Sequence, residues 1–218
     1  RHWSSFAKRL HYFESSSEGL AAVRERCTQA QRLVYLAIPP SAFKGMVAGL
    51  GKAGLASGTR LIIEKPFGHD LASARELADC VHAVFEEQQV YRIDHFLGKE
   101  TVQNILVFRF GNALFERLWN RDSIDHVQFT VAEEIGIEGR GSFYEETGAL
   151  RDILQNHAFQ VLSLLTMEPP RSLDAEAIRD EKARLFDSMR ELQPEDVVRG
   201  QYTGALMGGH RVAAYRKS

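Results

Sequence analysis

Cysteine is scarce in this sequence, and long apolar runs are missing from it. The two cysteines, Cys27 and Cys80, have no zinc-motif spacing and do not suggest a disulfide scaffold. They favour a reducing compartment, so we expect a cytoplasmic protein and leave an organelle open. The longest apolar stretches, such as 33–38, are far too short to span a bilayer, so we expect no transmembrane helix and no membrane partner.

A surplus of one charge is also missing. The 27 Lys and Arg residues face 29 Asp and Glu residues, which gives a net charge of -2. No global basic field is available to attract nucleic acid, so we expect no nucleic-acid partner. Hydrophobic residues make up 44% of the chain and charged residues 26%, which excludes a disordered chain and is ordinary for a globular protein with a core.

The short motifs of several kinds of site are absent as well. The glycine group 45–58 lies in a helix-and-loop region rather than directly after a predicted strand, so we expect no dinucleotide loop there, and the sequence contains no P-loop lysine motif. It contains no His-Glu-x-x-His, Cys-x-x-Cys or EF-hand loop, so we expect no metal site. The first residue is Arg1 rather than Met, and we expect an interior piece of a longer protein or a processed product.

Strands and helices alternate over the first ninety residues. Short apolar, β-branched runs predict the strands, and amphipathic stretches between them predict the helices. The predicted strands are 32–38, 61–64 and 90–93, and the predicted helices are 18–31, 41–51 and 70–88, the last with Asp70 as its N-cap. This order implies right-handed parallel βαβ units, and because it starts with a helix, we expect a preceding strand outside the sequence.

The pattern changes after Ile93, and we place a domain boundary near Asp94. The predicted helices beyond it are 100–110, 142–167 and 174–185, and the predicted strands are 126–131, 197–203 and 211–215. The predicted fold is therefore an incomplete Rossmann-like α/β parallel sheet, residues 1–93, followed by the start of an α+β domain with an antiparallel sheet, residues 94–218.

Two clusters of polar residues follow predicted strands, at the sheet edge where α/β proteins bind ligands. In segment 64–68, Lys65 could offer a cation to a sugar hydroxyl, a cofactor carboxamide or a phosphate; the alternative is an ordinary turn with a solvated lysine. In segment 92–100, His95 and Lys99 could hold a phosphate beside a helix start, and Asp94 could orient a histidine elsewhere. The alternative there is an ordinary capped helix.

A third cluster lies inside an otherwise apolar helix. Segment 148–157 places Arg, Asp, Gln, Asn and His there, which indicates either a structural network or a site, since buried polar groups need partners. A lone helix histidine is more often a satisfied core residue. Asp152 and His157 are five residues apart, about 140° around an α-helix, so we expect them to flank a site rather than share one face. Upstream, Glu133 in a glycine-rich stretch could reach a sugar hydroxyl.

Together these clusters resemble the glucose-6-phosphate dehydrogenase family. The nine-residue segment 92–100 (Arg-Ile-Asp-His-Phe-Leu-Gly-Lys-Glu) closely resembles its signature and is highly specific. Further segments resemble the family in order and spacing: 64–68, 120–122, 138–141, 151–157, 167–169, 179–182 and 200–202. Phe96 stands where the family usually has Tyr, so any phosphate contact from that hydroxyl is absent.

The resemblance implies an enzyme that oxidises C1 of glucose 6-phosphate to 6-phosphogluconolactone, the first step of the pentose phosphate pathway, with NADP as cofactor. It implies a general base, His157, and a carboxylate partner, Asp94. The implied substrate-binding residues are Lys65, His95, Lys99, Glu133 and Asp152, and the implied cofactor-binding residues are Pro39, Pro40 and Lys65. It also implies a homodimer or homotetramer of the full-length protein.

The resemblance also implies that the family's dinucleotide loop should precede Arg1 and most of its antiparallel sheet should follow Tyr202. We therefore expect the 218 residues alone to be inactive. The alternatives are a related two-domain sugar dehydrogenase and a non-catalytic, truncated sugar-phosphate-binding fragment. His95 and Lys99 favour the phosphorylated substrate.

Overall fold

The structure is a computed structural model that describes residues 2–217. The chain forms two compact units that meet in sequence between Ile93 and Asp94. No helix in the described residues is long and apolar enough to cross a membrane.

The first unit is built on a parallel sheet. Its strands are β1 (Arg32–Leu36), β2 (Thr59–Glu64) and β3 (Val90–Ile93), hydrogen-bonded in that order. Its helices are α1 (His2–Ala7), α2 (Ser17–Arg26), α3 (Pro40–Lys52) and α4 (Leu71–His82), with a 3₁₀ turn at Glu87–Gln89. Leu61 and Ile63 of β2 pack in one apolar core with Phe43 and Val47 of α3 and Val81 of α4.

The start of α4 is fixed by its cap. The Asp70 carboxylate accepts a hydrogen bond from the Ser73 N–H at 2.8 Å, and the Ser73 hydroxyl accepts one from the Asp70 N–H at 3.1 Å, which completes a capping box. Just upstream, Gly68 has φ +96, and a Cβ there would lie 2.6 Å from the Ala74 nitrogen, so only glycine fits this turn.

Two helices of this unit end earlier than the sequence predicts. The helix predicted over 18–31 ends at Arg26, and the one predicted over 70–88 ends at His82. In the second case the Gln89 side chain donates to the carbonyls of Ala56 and Thr59, at 2.9 and 2.8 Å, which ties the 3₁₀ turn to the sheet instead. A tertiary contact of this kind overrides helix propensity.

The second unit is mainly helical. Its helices are α5 (Glu100–Phe110), α6 (Ala113–Glu116), α7 (Gly141–Ala149), a π-helix (Leu150–Ala158), α8 (Phe159–Thr166) and α9 (Ala175–Ser188), with 3₁₀ turns at His95–Gly98, Pro194–Asp196 and Tyr215–Lys217. Val102, Leu164 and Met167 form its core, where α5 and α8 meet. The helix predicted over 142–167 is thus three segments, with non-helical backbone at Gly148 (φ 66, ψ 169).

The strands predicted for this unit are corrected by the structure. No described residue pairs with 126–131, which forms no strand, and Val127 and Val131 remain 44% and 48% exposed. Segment 197–203 also forms no strand. The antiparallel sheet is instead a short hairpin of β4 (Ala205–Met207) and β5 (His210–Val212), so 211–215 is a strand only at its start.

The turn of this hairpin explains its position. Gly208 and Gly209 have φ +57 and +83, the left-handed pair that a tight two-residue hairpin turn needs and that glycine adopts without strain. The predicted order, a parallel sheet followed by an antiparallel sheet, is confirmed.

Candidate active site

A buried histidine–carboxylate pair lies at the centre of the candidate site in the second unit. The Nδ1 of His157 lies 2.6 Å from Oδ1 of Asp94, and the two side chains are only 2% and 9% exposed. Asp94 directly follows β3, and His157 is the penultimate residue of the π-helix. Because Nδ1 donates its proton to the carboxylate, the neutral ring carries its lone pair on Nε2, as a general base requires.

The Asp94 carboxylate has two different environments at its two oxygens. Oδ1 accepts the His157 hydrogen bond and also one from the Phe96 N–H at 3.0 Å, which caps the 3₁₀ turn. Oδ2 is buried and has no hydrogen-bond partner among residues 2–217. A carboxylate with one such oxygen needs another source of compensation for its charge.

The side chains after Asp94 gather around the His157 ring. Phe96 stacks on it, with ring centroids 4.1 Å apart and planes at 14°, and His95 meets it edge-on at 4.7 Å. The Lys99 ammonium lies 3.7 Å from the centre of the Phe96 ring. His95 and Lys99 are both exposed. The sequence analysis paired Asp94 with His157 and His95 with Lys99, but it treated Phe96 only as a missing hydroxyl.

The π-helix corrects the predicted relation between Asp152 and His157. Hydrogen bonds in a π-helix join residues five apart, so such residues lie roughly one above the other rather than about 140° apart. Asp152 and His157 are five apart within this helix and therefore share a face instead of flanking the site. A π-segment inside an α-helix is rare and is frequently found at functional sites.

The two carboxylates expected to bind sugar hydroxyls act on one tyrosine. The Tyr144 hydroxyl lies 3.4 Å from Oδ2 of Asp152, close to the limit for a hydrogen bond. Burial raises the pKa of Tyr144, and the negative charges of Asp152 and Glu133 raise it further, while Arg140 opposes them. Asp152 is half-buried and Glu133 exposed. Nothing in the sequence singled out Tyr144.

The π-helix that carries His157 continues directly into α8, and the end of α8 is held by two side chains that the sequence analysis missed. Arg109, 4% exposed, donates to the carbonyls of Leu164 and Met167 at 2.7 and 2.8 Å. The Trp119 indole donates to the Leu165 carbonyl at 2.7 Å. These bonds satisfy carbonyls that a helix end leaves unpaired. An arginine within the apolar helix 100–110 was the available signal.

The residues expected to contact the cofactor lie in the first unit. Pro39 and Pro40 are exposed, follow β1 and begin α3. Lys65 is half-buried and follows β2, and its peptide bond to Pro66 is cis. The three residues therefore lie at the carboxyl ends of neighbouring parallel strands.

One arrangement bears on metal binding. Asp94, His95 and His157 each offer an atom of ligand type, and these atoms lie within 4.8 Å of one another. We identify no metal ligands here, because the Nδ1–Oδ1 hydrogen bond already joins two of the three residues. The absence of a metal stays a prediction.

The parallel βαβ unit is the architecture on which dinucleotide-binding folds are built, and the buried histidine–carboxylate pair has the geometry of an oriented base. The family described as "Glucose-6-phosphate dehydrogenase, NAD binding domain" matches residues 1–104, and "Glucose-6-phosphate dehydrogenase, C-terminal domain" matches residues 106–218. The chain belongs to the glucose-6-phosphate dehydrogenase family.

Individual relatives agree with this assignment. Glucose-6-phosphate 1-dehydrogenase of Zymomonas mobilis subsp. mobilis is 52% identical over 187 residues, which cover 84% of this chain and 39% of the relative. A crystal structure of the Mycobacterium avium enzyme matches with a TM-score of 0.85 and 44% identity, over 92% of this chain and 45% of that one. A structure titled "Glucose-6-phosphate dehydrogenase in complex with its substrate glucose-6-phosphate" matches with a TM-score of 0.83 and 39% identity, over 95% and 45%. The chain thus spans less than half the length of these relatives.

Proposed function

We propose that the full-length protein oxidises C1 of glucose 6-phosphate to 6-phosphogluconolactone with NADP as cofactor. The observation that carries this proposal is the buried pair of His157 and Asp94, with a 2.6 Å bond that prepares Nε2 as a base. Family membership and the solved complex of a relative with glucose 6-phosphate support the substrate.

In the proposed reaction, His157 removes the proton of the C1 hydroxyl at Nε2 while the C1 hydrogen leaves as hydride. The ring becomes an imidazolium, and the adjacent Asp94 carboxylate stabilises the new positive charge. Both side chains are nearly excluded from water, which strengthens this attraction relative to an exposed pair. The stacked Phe96 ring restricts rotation of the base.

The phosphate of the substrate is proposed to bind His95 and Lys99. Both are exposed, and both contact the Phe96 ring, His95 edge-on and Lys99 over its face. A dianionic phosphate outcompetes an aromatic face for an ammonium group, since charge-assisted hydrogen bonds are the stronger interaction. Binding the remote phosphate positions C1, which is how binding energy is used in catalysis.

Glu133 and Asp152 are proposed to accept hydrogen bonds from sugar hydroxyls. The Tyr144 hydroxyl lies 3.4 Å from Oδ2 of Asp152, and besides burial the charges of Asp152 and Glu133 both raise the pKa of Tyr144, which supports a shared acceptor region. The π-helix turns Asp152 to the face of His157. Ring hydroxyls bound there would fix the orientation of C1 toward Nε2.

Pro39, Pro40 and Lys65 are proposed to contact the cofactor, with Lys65 also reaching the substrate. Their positions fit a dinucleotide, because parallel α/β sheets bind such ligands at the carboxyl ends of their strands. NADP, when bound, supplies the acceptor for the hydride from C1.

A substrate comparison on the full-length protein tests the proposal. Cofactor reduction is followed with glucose 6-phosphate and with glucose, each with NADP and NAD. We expect turnover with the phosphorylated sugar, and kcat/KM for glucose lower by a factor of roughly 10² or more. Equal rates would favour another sugar dehydrogenase, and binding without turnover would favour a non-catalytic protein. A cytoplasmic location and a homodimer or homotetramer stay predictions, and light scattering measures the second.

A further inference from the structure

Tyr144 is a side chain of the candidate site to which the mechanism above gives no role. It lies on α7 and is half-buried. Its ring meets the Phe143 ring edge-on, with centroids 5.8 Å apart, and the Arg140 guanidinium lies 5.8 Å from the centre of the Tyr144 ring. Its hydroxyl reaches Oδ2 of Asp152 at 3.4 Å. The ring therefore packs against residues of its own segment, while its polar end points at a carboxylate proposed to bind the sugar.

The contact between Tyr144 and Asp152 depends on a kink at Gly148. The two residues are eight apart in sequence, which in a continuous α-helix is about 12 Å along the axis. Side chains so far apart along one helix do not normally meet, because neighbours on a helix surface are three or four residues apart. The backbone of Gly148 is not helical, and the chain changes direction there, shortly before the π-helix begins. The Tyr144 hydroxyl therefore joins the two helical segments across the kink.

The hydroxyl of Tyr144 is a donor at neutral pH. Burial raises the pKa of Tyr144, and the negative charge of Asp152 raises it further, so the phenol keeps its proton. An ionised carboxylate can only accept hydrogen bonds, which fixes the direction of this one. Hydrogen bonds to a charged acceptor are also stronger than those between neutral groups.

We propose that Tyr144 is a positioning residue for the oxidation proposed above: its hydroxyl holds the Asp152 carboxylate in the orientation that binds a ring hydroxyl of the sugar. The last side-chain torsion of an aspartate has a broad energy profile, so the carboxylate rotates easily. A hydrogen bond to Oδ2 restricts this rotation and fixes the direction of Oδ1. Because Asp152 shares a face of the π-helix with His157, the same bond orients the sugar relative to the base. The inference rests on the proposed function for its substrate.

Tyr144→Phe in the full-length protein removes the hydroxyl and keeps the ring. We expect kcat/KM for glucose 6-phosphate to fall by roughly 3- to 10-fold, less than the loss of a direct bond to the substrate, because the effect acts through Asp152. The matched control is Tyr215→Phe. Tyr215 also donates to a carboxylate, Oε1 of Glu145 at 2.7 Å, but this bond is exposed to solvent. Its loss should change kcat/KM by less than about twofold.

A double-mutant cycle separates positioning from a general effect on the fold. Tyr144→Phe is measured in the unchanged protein and in Asp152→Ala, which lacks the carboxylate. If Tyr144 acts through Asp152, the hydroxyl has nothing to position in the second background, and its removal there should cost less than about twofold. An equal loss in both backgrounds would show a purely structural role and overturn the proposal. A folded Tyr144→Phe protein that keeps kcat/KM within about twofold of the unchanged protein would do the same.

A second readout does not depend on activity. Labelled tyrosine ring signals are titrated by NMR at high pH, and the Tyr144 signal is assigned by its loss in Tyr144→Phe. Asp152→Asn should lower the pKa of Tyr144 by roughly half a unit or more, whereas Asp125→Asn, at a side chain 97% exposed, should leave it unchanged. Absence of turnover with glucose 6-phosphate would refute the proposed function, and this titration would still test the contact. A Tyr144 pKa that is the same in folded Asp152→Asn overturns the proposal.

Discussion

Asp94→Asn isolates the charge of the buried pair from its geometry. Asparagine has nearly the volume of aspartate and caps a helical turn about as well, so the hydrogen bond from the Phe96 N–H should survive. The amide oxygen can still accept the Nδ1 proton of His157. What is lost is the negative charge beside the imidazolium that forms as C1 is oxidised.

The size of the loss follows from the type of bond. A hydrogen bond to a charged group contributes about 1.5–3 kcal/mol, and each 1.36 kcal/mol is a factor of about ten, so kcat should fall roughly 10- to 150-fold. An asparagine whose amide nitrogen turned toward Nδ1 would select the wrong tautomer of His157 and lower kcat further, toward about 10⁴-fold. The KM for glucose 6-phosphate should change little, since Asp94 does not bind the phosphate.

The chain contains a matched control. Asp125 and His126 also form a carboxylate–histidine pair, with Oδ2 and Nδ1 2.8 Å apart, but these side chains are 97% and 65% exposed. Asp125→Asn should leave kcat and the melting temperature nearly unchanged. The measurement is steady-state kinetics on the full-length protein, with circular dichroism as a check on folding. A folded Asp94→Asn protein with kcat within a factor of about two of the unchanged protein would refute the reasoning.

Three further variants test other parts of the account. Lys99→Ala should raise the KM for glucose 6-phosphate by roughly tenfold or more while leaving the reaction with glucose nearly unchanged, and an equal loss with both sugars would exclude the phosphate role. Arg109→Leu leaves two buried carbonyls at the end of α8 unpaired. The free energy of unfolding, measured by urea denaturation, should therefore fall by about 2–4 kcal/mol. A nearly unchanged free energy of unfolding would mean that water replaces the arginine as the donor to these carbonyls. The hydrogen bond from Arg92 holds the pKa of Glu87 in the folded protein below its ordinary value. The stability that this pair contributes is therefore fully present above the ordinary pKa and is lost as the pH falls through the lower pKa of the folded protein. Because Glu87 is 58% exposed, Glu87→Gln should cost less than about 1 kcal/mol at neutral pH and nothing at low pH, and a constant cost at both would contradict the ionic origin.

The elements that the sequence predicts best are those fixed by local patterning. Strand 90–93 and helix 100–110 have the predicted bounds, and the helix ends where Gly111 follows it. Strand 126–131 failed for the opposite reason. Alternation of apolar and polar residues predicts a strand only if another strand is available to pair with it, and none of the described residues does so.

In the candidate site, too, local sequence patterns group some residues, whereas only the structure brings the others together. Asp94, His95 and Lys99 lie within one short segment, so the sequence could group them, and the structure brings Asp94 and His95 to His157 and Lys99 to the Phe96 ring. The π-helix could not be foreseen, since no simple pattern separates it from an α-helix, and it reversed the expected placement of Asp152. The Lys182 ammonium donates a hydrogen bond to Oε1 of Gln160, which lies on another helix more than twenty residues earlier in the sequence, and no local rule detects such a contact.

The central claim is that His157 is the base, and His157→Asn tests it most directly. In the full-length protein this variant should lower kcat for glucose 6-phosphate by about 10²–10⁴-fold, the usual contribution of a general base, with substrate binding nearly unchanged. His126→Asn, at the exposed pair, is the matched control and should keep full activity. A folded His157→Asn protein that retains kcat within a factor of roughly two or three would contradict the assignment of the base.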